Sequence, residues 1–114
     1  MSLSTVLTIL TIHYVADFLC QTDWMAVNKS KRADALLAHV AVYTGVFMLL
    51  LGPSFGVSYA LLNGLLHLVT DFITSRASAA AWKAENRHMF FCIIGLDQLI
   101  HSACLLYTAE ILLK

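Results

Sequence analysis

Charge is what this chain has least of. Only 12% of its 114 residues are Asp, Glu, Lys or Arg, where a soluble domain carries about 25%. Seven of each sign cancel to a net charge of zero, and no long basic run exists, which excludes an electrostatic nucleic-acid binder. Proline occurs once and glycine five times, too few for a disordered or collagen-like chain. Cysteine is scarce and odd in number. Cys20, Cys92 and Cys104 are far apart and form no CxxC pair, so neither a disulfide framework nor a zinc ribbon is indicated. They read as small buried apolar residues.

Apolar residues fill the gap. They make up 60% of the chain, and mean hydropathy is +0.78. A protein this small has a large surface for its volume, and fourteen charged side chains cannot cover it. The excess requires an apolar solvent, so the sequence predicts an integral membrane protein in contact with the lipid bilayer. Runs of roughly 17–25 apolar residues can cross a bilayer as helices. Four are present, at about 3–22, 35–51, 55–75 and 88–112. The expected fold is all-α: a single domain over 1–114, built as a four-transmembrane-helix bundle. Between the runs lie the charged stretch Trp24 to Asp34, the turn Gly52-Pro53-Ser54, and the charged, small-residue stretch Arg76 to Arg87. The first run lacks a basic leader and passes His13 and Asp17 with no small-residue cleavage site, so it is expected to remain as a membrane helix.

Six of the seven Lys/Arg lie in the first and third connections. The positive-inside rule puts those connections in the cytoplasm and both termini outside it. Trp24 and Trp82 would sit at the same interface.

The informative residues are polar ones inside the apolar runs: His13 and Asp17, His39, His67 and Asp71, Asp97 and His101. An aspartate at mid-helix costs roughly 2.5–3.5 kcal/mol even on a lenient insertion scale, so these residues must face each other, water or an ion. Three of the pairs are four residues apart, which stacks their members on one helix face. The stripes continue to Gln21 on the first helix and to Asn63 and Tyr59 on the third, and His39 pairs with Tyr43 on the second. Helix four runs opposite to helices one and three and also reverses the order, Asp before His. Two layers result. His13, His67, His101 and Tyr43 lie deeper, and Asp17, Asp71, Asp97 and His39 shallower, with the aspartates roughly 7–15 Å below the cytoplasmic interface. The pattern HxxxDF at His13 and again at His67 suggests two pseudo-repeated helical hairpins. Ala41-xxx-Gly45 and Ala60-xxx-Gly64 are candidate close-approach points.

Imidazoles with carboxylates suit a divalent first-row metal: zinc first, manganese or iron next. The expected ligands are His13, His67 and His101, with His39 beside them. One of Asp17, Asp71 or Asp97 would act as general base on a water whose pKa the metal lowers to about 7. Gln21, Lys29, Asn63 and Arg76 are the candidate substrate contacts. No glutamate lies near the site, so an HExxH protease is excluded. Each His or Asp alone reads as a hydrogen-bonded packing residue, and the loop cations alone as topology signals. Seven such groups in four short helices exceed what packing needs. His88, at the start of the last run, is read as interfacial.

These residues, from His13-Tyr-Val-Ala-Asp17-Phe18 through Gln21 and Lys29, His39, Asn63-Gly-Leu-Leu-His67-Leu-Val-Thr-Asp71 and Asp97-Gln98-Leu-Ile-His101, resemble a small bacterial and phage membrane family catalogued as domain of unknown function 3307. The resemblance covers nearly the whole chain. It implies a His/Asp site in the bacterial inner membrane and supplies no substrate. More distantly, the spans are similar to proteins labelled membrane-bound metal-dependent hydrolases. The leading expectation is therefore a metal-dependent hydrolase open to the cytoplasmic leaflet, acting on an anionic lipid-like or phosphate-bearing substrate. The alternative is a metal-ion or proton transporter using the same ladder, and a third is a structural metal site. Bis-histidine haem ligation is a fourth. Residues 44–58 and 102–113 are almost wholly apolar, which favours a blind site over a channel. A homodimer is compatible with the chain's size.

Overall fold

The computed structural model describes residues 1–113, and among them there is helix and no strand. Helix α1 (Leu3–Tyr14) starts on the Ser2 side chain, which accepts from the Thr5 amide, and runs into a π-helical turn over Val15–Leu19. A short α2 (Asp23–Asn28) follows. Then come α3 (Ala33–Leu50), the single turn α4 (Gly52–Phe55), α5 (Val57–Lys83) and α6 (Arg87–Leu112). Three of these, α3, α5 and α6, are long and apolar enough to cross a membrane. At about 1.5 Å per residue they span about 27, 40 and 39 Å. The first apolar helix, Leu3–Leu19, is shorter.

The helix boundaries differ from the sequence reading at three places. The first apolar run ends at Leu19 rather than continuing to residue 22, because Thr22 caps a new helix by accepting from the Met25 amide at 3.2 Å. The stretch after Arg76, read as a connection, continues α5 to Lys83. Hydropathy falls there, but Ala77, Ala79, Ala80 and Ala81 are strong helix formers. The helix stops where Glu85 takes φ 59°. The amides of Asn86 and Glu85 then turn back onto the carbonyls of Ala81 and Trp82, at 2.9 and 3.0 Å. The Gly52-Pro53 turn is itself one helical turn, ended by Gly56 at φ 91°.

Helices α1, α3, α5 and α6 form a closed ring in which α3 packs on α1 and α5, and α6 on α5 and α1. The Met1 amino group lies 3.8 Å from Glu110, so α1 begins where α6 ends. The bundle is inside-out relative to a water-soluble one. Its outer surface carries Leu49 at 79% exposure and Tyr107 at 70%. Cys20 and Cys92 are also exposed, contrary to the expectation of burial, since this outer surface is itself apolar.

The interior is divided lengthwise. One half is an apolar core of Ile9, Tyr43, Phe47, Leu51, Tyr59 and Leu105. The other half buries Asp17, His39, His67, Asp71, Asp97 and His101. Of the two small-residue pairs, only Ala60/Gly64 lies at a helix contact. A Cβ at Gly64 would collide with the Thr44 hydroxyl, whereas one at Gly45 meets nothing. Gly64→Ala is therefore expected to destabilise the bundle by about 1–3 kcal/mol through overpacking. Gly45→Ala is expected to stabilise it by about 0.5–1 kcal/mol, since alanine is the better helix former where nothing obstructs its methyl group. Thermal unfolding of the two variants in one detergent checks this pair.

Candidate metal centre

The π turn at Val15–Leu19 positions the first site residue. One wider turn, closed by the Cys20 amide on the Val15 carbonyl at 2.9 Å, keeps Asp17 facing inward on the same side as His13. Regular α-helix does the same for the other pairs. His39 lies on the buried face of α3, His67 and Asp71 on α5, and Asp97 and His101 on α6.

Their tips converge. His39 Nε2 is 3.0 Å from Asp17 Oδ1, 3.0 Å from His67 Nε2 and 3.3 Å from Asp71 Oδ2. His67 Nε2 is 3.6 Å from Asp17 Oδ1 and 3.4 Å from Asp71 Oδ2. A tetrahedron of donors about 2.0–2.1 Å from a central ion has edges of about 3.3–3.4 Å. Five of the six separations among these four residues, 3.0–3.6 Å, therefore match the edges of a cation cradle, and all their donor atoms lie within 4.8 Å of one another. Two imidazole nitrogens at 3.0 Å can share only one proton, whereas both lone pairs can address one ion.

A second set adjoins the first. His101 Nε2 lies 3.1 Å from Asp97 Oδ1 and 3.3 Å from Asp71 Oδ1. Donor atoms of Asp17, Asp97 and His101 lie within 4.8 Å of one another. Two further side chains hold the carboxylates. Thr74 donates to Asp97 Oδ1. The Gln98 amide donates to Asp97 Oδ2 at 3.0 Å and Asp17 Oδ2 at 3.3 Å, while its oxygen meets His13 Nε2 at 2.9 Å. Lys29 reaches in from the end of α2 and donates to Asp71 Oδ2 at 3.2 Å.

The deeper layer is a ring of stacked aromatic groups. His67 lies over Tyr43 at 3.9 Å and over His101 at 4.1 Å. His13 closes the ring against His101 at 5.7 Å and Tyr43 at 5.8 Å.

The candidates read from the sequence thus separate in space. His39, His67, Asp17 and Asp71 form the tightest group, and His101 and Asp97 the adjoining one. His13 stands at the edge, its two ring nitrogens taken by Gln98 and Tyr43. Lys29 enters the site. Asn63 does not: its amide donates to the Tyr59 carbonyl and the Thr108 hydroxyl, in the apolar half. Arg76 turns outward, bonds the Phe72 carbonyl and stacks 3.9 Å over the Phe72 ring. The side-chain oxygen of Gln21 is buried without a partner and makes no bond to the cluster. Gln98 and Thr74 were not singled out from the sequence. Their signal was the one that marked the aspartates, a polar residue in an apolar run, but uncharged side chains carry it more faintly.

A cavity of about 650 Å³ leads to this cluster. Asp71 and Asp97 lie at its floor, Val27, Trp82, Phe90 and Ile94 on its walls, and Lys29, Lys31 and Lys83 around it. The two cation-rich connections therefore share one end of the bundle, as the charge distribution implied. The buried Ser75 hydroxyl, without a hydrogen-bond partner, also lines it.

No curated protein and no solved structure matches the chain. A family model described as a protein of unknown function (DUF3307) matches residues 5–114, a stretch that includes every residue of the cluster. Matched over nearly its whole length, the chain belongs to the DUF3307 family.

Proposed function

We propose that the chain is an integral-membrane metal-dependent hydrolase whose site opens to the cytoplasmic leaflet of a bacterial inner membrane. In this reading Leu3–Leu19 is a fourth span and both termini lie outside the cytoplasm. The observation that carries the reading is the convergence of His39, His67, Asp17 and Asp71 at the spacing of a first-row metal cradle. Charge supports it. Three buried carboxylates face the single cation Lys29, which leaves an excess of two negative charges when the histidines are neutral. One divalent ion, with zinc the first candidate, offsets that excess.

A bound ion would supply Lewis acidity to the scissile group. The rest falls to the chain. Asp97, at the cavity floor and outside the tightest ligand group, takes a proton from the attacking water. Thr74 and Gln98 fix its carboxylate for that task. Hydrolysis then places the water oxygen on the acyl or phosphoryl atom, breaks the bond to the leaving oxygen, and delivers the carried proton there. Lys31 and Lys83 hold an anionic headgroup beside Lys29, which stays on Asp71, while Val27, Trp82, Phe90 and Ile94 cover an apolar tail. The substrate class is an anionic, lipid-like ester.

The apolar half argues against a transport pathway. Phe47, Tyr59 and Leu105 are almost fully buried and fill the bundle beyond the site. Haem does not fit either. The His39 and His67 rings are 5.0 Å apart with their nitrogens at 3.0 Å, which leaves no room for a macrocycle between them.

Two measurements test the reading. Detergent-purified protein is expected to carry tightly bound zinc, manganese or iron by mass spectrometry. Folded protein that holds none, and takes up none when these ions are added, would sink it. In mixed micelles with an anionic phospholipid, Lys31→Gln is expected to raise KM about fivefold, since each cation near an anionic group contributes about 1 kcal/mol. Metal content should not change. An unaltered KM would remove Lys31 from headgroup binding.

A further inference from the structure

We infer that the centre is built for a pair of divalent ions bridged by Asp17 and Asp71, an inference that rests on the metal-site reading above. The division of carboxylate oxygens carries it. Asp71 presents Oδ2 to His39 and His67 at 3.3 and 3.4 Å, and its other oxygen, Oδ1, to His101 at 3.3 Å. Asp17 divides in the same way. Its Oδ1 faces His39 at 3.0 Å, and its Oδ2 faces the Gln98 amide at 3.3 Å and His13 at 3.8 Å. Asp71 therefore serves the two neighbouring sets of donors with one oxygen apiece, and Asp17 belongs to both sets. That is how a carboxylate bridges two ions, and paired catalytic ions stand about 3.5–4 Å apart.

The second set has donors of its own. His101 and Asp97 meet at 3.1 Å and gather with Asp17 within 4.8 Å. Asp97 is also held at both oxygens, by Thr74 and by Gln98, the outer support expected of a ligating carboxylate. It would ligate through Oδ1, the oxygen beside His101, and keep Oδ2 for the proton it takes as base. The Gln98 amide links Asp17 and Asp97. It thus marks where positive charge is wanted between them. Neither His39 nor His67 forms a hydrogen bond or ion pair with Asp97, so the two ion positions would have separate terminal ligands and a shared pair of bridges.

Charge then names the ligand. One divalent ion cancels the excess of the three carboxylates over Lys29, and a second leaves two positive charges uncompensated. A phosphate ester dianion entering by the lysine-rich cavity would supply that compensation. Among anionic, lipid-like esters, this selects those with the phosphate at the point of cleavage.

Reconstitution with manganese tests the pair without relying on activity. The full chain in detergent, stripped by chelation and reloaded with Mn²⁺, is expected to hold two ions per chain and to give an exchange-coupled electron paramagnetic resonance spectrum. Asp97→Asn and His101→Gln are each expected to hold one ion and give the uncoupled six-line signal. One uncoupled ion in the unaltered chain would overturn the pair and leave the single-ion site standing. No bound ion would remove both. Should either variant fail to fold, the stoichiometry and spectrum of the unaltered chain decide alone.

Discussion

Asp71→Asn is expected to weaken metal binding at least 100-fold, the largest loss from any single substitution in this chain. The carboxylate touches four partners at once: Lys29, His39, His67 and His101. The amide keeps its size and removes its charge and one of its acceptors. Substitutions that merely reach a ligand through a hydrogen bond cost about 10–100-fold in affinity, and this one acts on a candidate ligand directly. It also leaves the half-buried Lys29 ammonium without its counter-charge, a further cost to the fold. Competition with a chelating dye reads the affinity. Arg76→Gln is the matched control, because that guanidinium stacks outward on Phe72 and its loss should leave the affinity unchanged. Equal affinity in Asp71→Asn and the parent would remove Asp71 from the site.

Stripping the metal should unfold the bundle more readily than any apolar substitution of similar size. An ion present at about 1,000 times its dissociation constant stabilises the folded state by about 4 kcal/mol, and chelation withdraws all of it. What remains is three carboxylates facing one lysine in the buried half. Acidification acts in the same direction, since protons compete with the ion for imidazole nitrogen and carboxylate oxygen. Thermal unfolding in detergent, followed with and without chelator, measures the difference. Identical curves for metal-loaded and stripped protein would show that no ion contributes to the fold.

Much of this arrangement was legible before any coordinates. The i, i+4 spacing of His13/Asp17, His67/Asp71 and Asp97/His101 put each pair on one face, and the reversed order on the last helix put the aspartates at one depth. Both inferences need only helix geometry. The missing parts depend on contacts between helices. Nothing in a stripe distinguishes Asn63, which turns to Tyr59 and Thr108, from His67 one turn further on. That His39 rather than His13 joins the tightest group depends on how α3 meets α5. The π turn at Val15–Leu19 has no compositional mark, because Val, Ala, Phe and Leu are equally at home in a regular helix. The extension of α5 to Lys83 was hidden for another reason. Hydropathy reports where the lipid ends, whereas alanine content reports where the helix does.

The lengthwise division of the interior also determines where an electric field would act. In a bilayer, a cavity filled with water conducts, and the membrane potential falls across whatever remains dry. Here the closed part is the plug of Phe47, Tyr59 and Leu105, beyond the cluster, while the open part is the cavity that reaches Asp71 and Asp97. A charge crossing the whole potential gains or loses about 2.3 kcal/mol per 100 mV. Under the proposed function, a divalent ion entering from the lysine-rich end would cross little of it. Its binding would thus be insulated from the energisation of the membrane, and the proposed hydrolase is expected to work alike in a charged and a depolarised cell.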